Sequence, residues 1–338
     1  MEERPDIPDE QNEMYEHFRF AVDQGQAMLR IDKYLFAKIA NASRNRIQNA
    51  AKAGNILVND LPVKPNYKVR PGDIISIVLA YPPRDSEIYP ERIPMDVVYE
   101  DDDILVVNKP AGMVVHPGHG NFTGTLLNAL AYYYQGTGIT ASLCHRIDKD
   151  TSGILLLAKN ELAQTKLAKQ FFDHTIDRKY IALVWGNVKK DDGTITGNIG
   201  RDPRNRLVMK VFADDLDTGR HAVTHYRVIE RLGYVTLIEC ELETGRTHQI
   251  RTHMKYIGHP LFNDESYGGD VILKGTTFAK YKQFIQNCFK VMPRQALHAK
   301  SLGFIHPGSG KPVWFDSELP ADFSALLDKW RDYVKHHE

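Results

Sequence analysis

From Leu29 onward the apolar positions fall at helical spacing. Ile31, Leu35 and Ile39 recur every fourth residue and predict a helix. Ser43 suits the N-cap and Gly54 the stop of a second, short helix. Its apolar side would be Ile47, Ala50 and Ala51, and its outer side carries Arg44, Arg46 and Lys52. "NILVN" then reads as a strand, Asp60 and Leu61 as a turn, and "VRPGDIISIVLA" as a turn feeding another strand. The chain before it shows no periodicity, which predicts a disordered acidic tail over residues 1–23. "YPPRDSEIYPERIP" holds four prolines, Pro82, Pro83, Pro90 and Pro94, and predicts a semi-rigid linker over 81–94. The linker would separate a small α/β module, residues 24–80, from everything after it.

Beyond residue 95 the apolar runs are short and rich in β-branched and aromatic residues. "DVVYE", "ILVVNK", "GILLLAK", "KYIALVWG", "HYRVIERL" and "YVTLIECELE" predict strands. "GTLLNALAYYY", "ELAQTKLAKQFFDH", "RTHQIRTHMKYIG" and "FSALLDKWRDYV" predict helices. Strands outnumber helices and do not alternate strictly with them. That order predicts an α+β domain over 95–338, built on a mainly antiparallel, mixed sheet. No apolar run approaches the length of a membrane span.

Composition and charge narrow the classes. The chain has 338 residues, 42% of them hydrophobic and 25% charged, which suits a globular protein of about two domains. The N-terminus is acidic and lacks the apolar core of a secretion signal. Cys144, Cys240 and Cys288 are odd in number and far apart. That argues against a disulfide framework or a CxxC metal knuckle and favours the reducing cytoplasm. The net charge of +0 is unevenly laid out: residues 1–18 hold seven acids and one base, residues 27–80 nine bases and three acids. A basic module beside an acidic tail suggests a polyanionic partner, although a solvated basic helix face would read the same way.

The candidate chemistry centres on "CHRIDKDTSGILLLAKN", residues 144–160. A charged loop runs straight into an apolar strand through the turn-forming Thr151-Ser152-Gly153. Rigidly held loops of this kind often carry catalytic groups. Asp148 or Asp150 could serve as nucleophile, general base or half of a carboxylate pair; a charged turn satisfying local N–H groups is the plain alternative. In "ETGRTHQIRTHMKYIG", Arg251 sits near the start of a helix with His248 on nearly the same side, placed to pair a carboxylate from elsewhere. A pairing of that kind favours the charged form of the acid. Tyr180 stands at the head of a strand, where a core-edge aromatic is the ordinary reading. Neither His116 with His119 nor His248 with His253 has metal-ligand spacing with an acid, so no metal is expected. Cys144 beside His145 is not a catalytic dyad, because adjacent strand residues face opposite ways. Without GxGxxG or GxxxxGK[ST], neither a dinucleotide nor a nucleoside triphosphate is implied.

"RIDKYLF", "SRNRIQNAAKAGNILVN" and "KVRPGD" resemble the S4-type RNA-binding domain. "HRIDKDTSG" resembles the HRLDxxTSG signature of the RluA/RluD-type pseudouridine synthases. "YEDDDILVVNKPAGMVVHPG", "KYIALVWG", "ETGRTHQIRTH" and "RQALHAKSLGFIHP" are similar to that family's other blocks, in the same order. Only the signature's Leu differs, as Ile147. The front module with "HPGHGN" and "THYRV" looks most like the RluD branch, which modifies large-subunit ribosomal RNA. The resemblance implies Asp148 as the catalytic aspartate, chosen over Asp150, and Tyr180 as the aromatic against the target base. It implies Arg251 as the partner of the aspartate and Arg146 as the residue filling the space of the extruded uridine. Arg44, Arg46 and Lys52 on the basic front helix are the expected RNA contacts, and no cofactor, no metal and a monomer are expected. The rivals are an N-glycosidase using both aspartates and a non-catalytic RNA-binding assembly factor.

Overall fold

The computed structural model describes residues 15–39, 42–79, 88–117, 121–205, 208–212 and 218–336. The chain divides into two compact units, residues 1–87 and 88–338. The division falls inside the proline-rich stretch, of which residues 81–87 lie outside the described ones.

In the front unit, helices Ile31–Lys38 and Arg44–Lys52 pack on a four-stranded antiparallel sheet. Ser43 caps the second helix by accepting a hydrogen bond from the Arg46 backbone N–H at 3.3 Å. Ile31, Leu35, Ile47, Ala51, Ile56 and Ile75 make a dry core, so the four-residue spacing correctly marks the buried face. The disordered tail through residue 23 needs correction. Tyr15–Ala21 is a strand on the sheet edge, antiparallel to Ile74–Leu79. It interleaves charged and aromatic residues, as an edge strand tolerates, and therefore has no apolar run to announce it. The rest of that tail, residues 1–14, lies outside the described residues.

The large unit is α+β, as expected. Its sheet runs, in spatial order, Met209–Phe212, Asp192–Arg201, Arg220–Leu232, Val235–Leu242, Asp177–Trp185, Leu297–Ile305, Ser152–Ala158, Ile104–Lys109 and Asp96–Glu100. Off this path, Pro312–Asp316 pairs with Leu297–Ile305 and Ser142–Leu143 with Ser152–Ala158. Among the described strands every pairing is antiparallel except Ser152–Ala158 with Leu297–Ile305. The central strands are buried on both faces, which explains their unbroken apolar runs. In Asp177–Trp185, residues 181, 183 and 185 enter one core, with Trp330 and Phe262, while 180, 182 and 184 enter the other. Gly153 sits where the parallel pair begins. Its φ is +116°, and a Cβ there would lie 2.1 Å from the Ala299 carbonyl oxygen, so a side chain cannot be accommodated.

Candidate active site

The loop between His145 and Ser152 is pinned through three successive carbonyls. The Asp148 carbonyl accepts from the Thr151 N–H at 3.2 Å. The Lys149 carbonyl accepts from the Gly112 N–H and from Lys109 Nζ, both at 2.9 Å. The Asp150 carbonyl accepts from Arg294 Nη1 at 2.8 Å. Lys109 is buried and also donates to the carbonyls of Pro110 and Met113. Burial pulls its ammonium down to about 7, with Asp150 and Asp148 opposing and Arg294 assisting. Three carbonyl acceptors nevertheless need three protons, which only the charged form supplies, so geometry favours the ammonium. Arg294 is itself held by Asp322 through Nε at 2.8 Å and Nη2 at 3.1 Å. Neither Lys109 nor Arg294 was singled out from the sequence. The signal for Lys109 was a lone cation closing the apolar run "ILVVNK".

Helix Gln249–Tyr256 brings Arg251 to this loop. Gln249 fastens the helix start to strand Arg220–Leu232, donating to the Val223 carbonyl and the Thr224 hydroxyl. Arg251 donates from Nε and Nη2 to Asp264 at 2.7 and 2.8 Å, and from Nη1 to Asp148 Oδ2 at 3.0 Å. Its guanidinium lies 4.9 Å from the centre of the Tyr267 ring. Burial opposes its charge, but Asp264 and Asp148 outweigh burial and raise its pKa. Asp264 has no exposed surface, so it sets the orientation of Arg251 independently of Asp148. Sequence spacing could not find Asp264, which lies in a short turn beyond the helix. His248, in the left-handed region at φ 54°, places Nε2 3.9 Å from Asp148 Oδ1.

Asp148, Tyr180 and Arg251 share one cavity of about 530 Å³, in the size range of small-molecule sites. Tyr180 projects from strand Asp177–Trp185, between Cys240 and Ala299 on the neighbouring strands. Its side chain is buried, and burial raises its phenol pKa. The walls are rich in cations: Arg146, Arg178, Arg220 and Arg246. A second cavity of about 410 Å³ adjoins the same loop and is lined by Arg146, Asp148, Asp150, His248 and Arg251. Asp148 therefore faces both spaces, whereas Asp150 faces only the one that lacks Tyr180. Arg146 is exposed at the rim of both. His145 accepts a hydrogen bond from the Leu156 N–H on Nε2, a structural task that keeps the ring apart from Cys144 chemistry.

In the front unit, Arg46 and Lys52 are exposed on their helix. Arg44 is exposed too, but its guanidinium is tied to buried Asp32 at 3.1 and 3.2 Å. Among the described residues, the cluster with metal-ligand geometry is Asp101, Asp103 and His306, which lines neither cavity. Asp101 there is occupied by His306, Tyr99 and two backbone N–H groups.

Comparison with known proteins gives a consistent picture. Residues 103–256 match the family model for RNA pseudouridylate synthase, and residues 29–75 match the S4 domain. An uncharacterized RNA pseudouridine synthase of Chlorobaculum parvum is 44% identical over 92% of this chain and 96% of its own length. The ribosomal large subunit pseudouridine synthase D of Zymomonas mobilis is 43% identical over 88% of this chain and 92% of its own. Among solved structures, human RNA pseudouridylate synthase domain containing 4 superposes with a TM-score of 0.56 at 22% identity, covering 70% of this chain and 93% of that one; this likeness concerns the fold.

Proposed function

The chain belongs to the RNA pseudouridine synthase family, and on that premise we propose that Asp148 is its catalytic carboxylate, with Tyr180 and Arg251 as its working partners. The enzyme isomerises uridine within RNA: the bond from uracil N1 to ribose C1′ breaks, the base turns, and C5 is joined to C1′. No electron is gained or lost and no phosphate is spent, so the chemistry needs no cofactor. Asp148 either attacks C1′ or removes the C2′ proton. Both routes require one carboxylate oxygen free to face the sugar. The observation that carries the reading is that Arg251 holds Asp148 Oδ2 at 3.0 Å inside the cavity that Tyr180 lines. Oδ1 accepts no hydrogen bond from a described residue.

The Tyr180 ring serves as a face against which the detached uracil turns. Extruding the uridine from its stack costs about a few kcal/mol. Arg146, exposed at the rim, fills the space the nucleotide leaves, and the front helix with Arg44, Arg46 and Lys52 offsets the rest through contacts to the RNA backbone. The substrate is a segment of large-subunit ribosomal RNA, a reading supported by the name of the Zymomonas mobilis relative and its 43% identity over 88% of this chain. The enzyme acts as a monomer, since Asp148, Tyr180 and Arg251 come from one chain. Three unpaired cysteines suit the cytoplasm.

Mapping pseudouridines in ribosomal and transfer RNA, with and without the gene, tests this. Loss is expected in the large-subunit RNA alone, restored by the wild-type gene and not by Asp148→Asn, although that variant still binds RNA. Restoration by Asp148→Asn would overturn the assignment; loss confined to transfer RNA would overturn the substrate.

A further inference from the structure

Arg178 stands two residues before Tyr180 on the same strand, so both side chains project from one face into the Asp148 cavity. Its side chain is 6% exposed. A guanidinium so deeply buried normally meets a carboxylate, because an uncompensated charge is costly away from water. Among the described residues Arg178 has none. Nη2 donates to the carbonyls of Leu242 and Glu243 at 3.1 and 2.9 Å, and Nε has no hydrogen-bond partner at all. The group is nevertheless held firmly. Those two carbonyls fix one end, and the Phe171 ring lies 5.6 Å from the guanidinium carbon. Gly245 leaves room at the other end, since a Cβ there would stand 2.7 Å from Nη1. A cation built in, aimed into the reaction cavity and left without its counter-charge waits for an anion that arrives with the substrate.

The reaction itself makes one. When the C1′–N1 bond breaks, its electron pair leaves with the base, and uracil becomes an anion whose charge spreads over the ring and its two carbonyl oxygens. Asp148 meanwhile bonds to C1′ or accepts the C2′ proton. C5 of the anion then bonds to C1′ as the Asp148 ester departs, or as the C2′ proton returns. Finally the C5 hydrogen is lost as a proton and N1 gains one. We propose that Arg178 binds the detached uracil as an anion, lowering the barrier to its departure and holding it while it turns over Tyr180. Donors preorganised in a water-poor site are suited to charge that exists only transiently. The proposal rests on the reading of Asp148 given above.

Single-turnover conversion of a target stem-loop RNA, carrying uridine or 5-fluorouridine at the modified position, tests it with wild type, Arg178→Met and Arg178→Lys. Cleavage of the original glycosidic bond is the readout. Fluorine makes the departing base a weaker base, so its release depends less on a neighbouring cation. Arg178→Met is expected to slow uridine by about 10²-fold, with RNA affinity within about twofold of wild type. The loss should shrink at least several-fold with 5-fluorouridine, and Arg178→Lys should recover part of the rate. An equal loss on both substrates would overturn the proposal. So would a loss appearing in RNA affinity, which would mark a phosphate contact instead. If Arg178→Met melts well below wild type, the ratio of 5-fluorouridine to uridine rates in Arg178→Lys decides: a raised ratio supports the proposal and an unchanged one overturns it. Asp148→Asn must be inactive on both RNAs; turnover by it would sink the site reading and not the comparison between bases.

Discussion

Asp32 in the front unit and Asp148 in the large one are both aspartates held by arginine, and they are held in opposite ways. Asp32 has no exposed surface and accepts hydrogen bonds from Arg30, Arg44 and Gln48. Burial alone would raise its carboxyl, but the three donors outweigh that and hold it at about 2. Asp148 is partly open, takes one hydrogen bond from Arg251, and lines two cavities. A saturated carboxylate stabilises a fold; an unsaturated one beside a cavity is available for chemistry. The Arg251 site contains both kinds at once. Asp264 is buried and takes the guanidinium fork, so that Arg251 reaches Asp148 already oriented. Preorganisation of this kind moves the ordering cost from the reaction to folding.

The contrast predicts a hierarchy of effects. Asp148→Asn should abolish pseudouridine formation, a drop of about 10⁴-fold or more, while leaving the melting temperature within about two degrees. A single-turnover assay and a thermal melt check both halves, and a large melting shift would mean that Asp148 is structural after all. Asp264→Asn should do both kinds of damage. The rate should fall by about 10²-fold through misplacement of Arg251, and stability by about 3–5 kcal/mol through a buried charge left half-paired. Denaturant unfolding beside the kinetic assay measures the two together; a stability loss with an unchanged rate would break the link from Asp264 to Asp148.

A smaller effect comes from the buried histidine behind the loop. His298 bridges the Ser152 and Ser317 hydroxyls at 3.0 and 2.8 Å, and burial holds its ring at about 4, below the ordinary 6.5. The folded state thus prefers the neutral ring. Its contribution is complete above about pH 6.5 and declines as pH falls toward 4, by up to about 3 kcal/mol at roughly 1.4 kcal/mol per unit. Unfolding free energies across pH 4–7 should show this decline together with that of the buried rings of His145 and His253, and His298→Gln should make it shallower by about 3 kcal/mol. Smallest is Asp32→Asn, expected to cost about 2 kcal/mol, felt in the front unit only. Because the folded pKa is depressed, that contribution is full above about pH 3.8 and vanishes as pH drops through about 2. Hydrogen exchange over residues 30–79 should rise in this variant while residues 144–264 keep their protection. Equal loosening of both regions would erase the distinction between them.

Much of the frame was legible from apolar spacing because the buried faces are long and simple. Ile104–Lys109, Ser152–Ala158 and Asp177–Trp185 are interior strands, and their unbroken apolar runs announce them. Leu297–Ile305 escaped although it lies at the centre of the sheet: His298, Lys300 and Gly303 interrupt its run. Asp192–Arg201 escaped because it carries three glycines, two of which face the Tyr226 ring and Val211 too closely for a side chain. Helix Ala279–Val291 does carry a legible signal, the helical spacing of its buried Tyr281, Ile285 and Cys288.

By itself, then, the sequence determined the types of the interior apolar strands and of most helices, the division into a basic front module and a larger α+β unit, and, through the HRIDKDTSG and GRTHQIRTH blocks, which aspartate and arginine to watch. These are local properties, set by side-chain period, turn chemistry and short motifs. Only the tertiary structure decided that Asp264 aims Arg251, that Lys109 and Arg294 pin the loop carbonyls, and that Arg178 is buried without a counter-charge. Each of these joins groups from 13 to 144 residues apart. Their energies depend on burial and on which partner is missing, and neither quantity exists until the chain has closed around them.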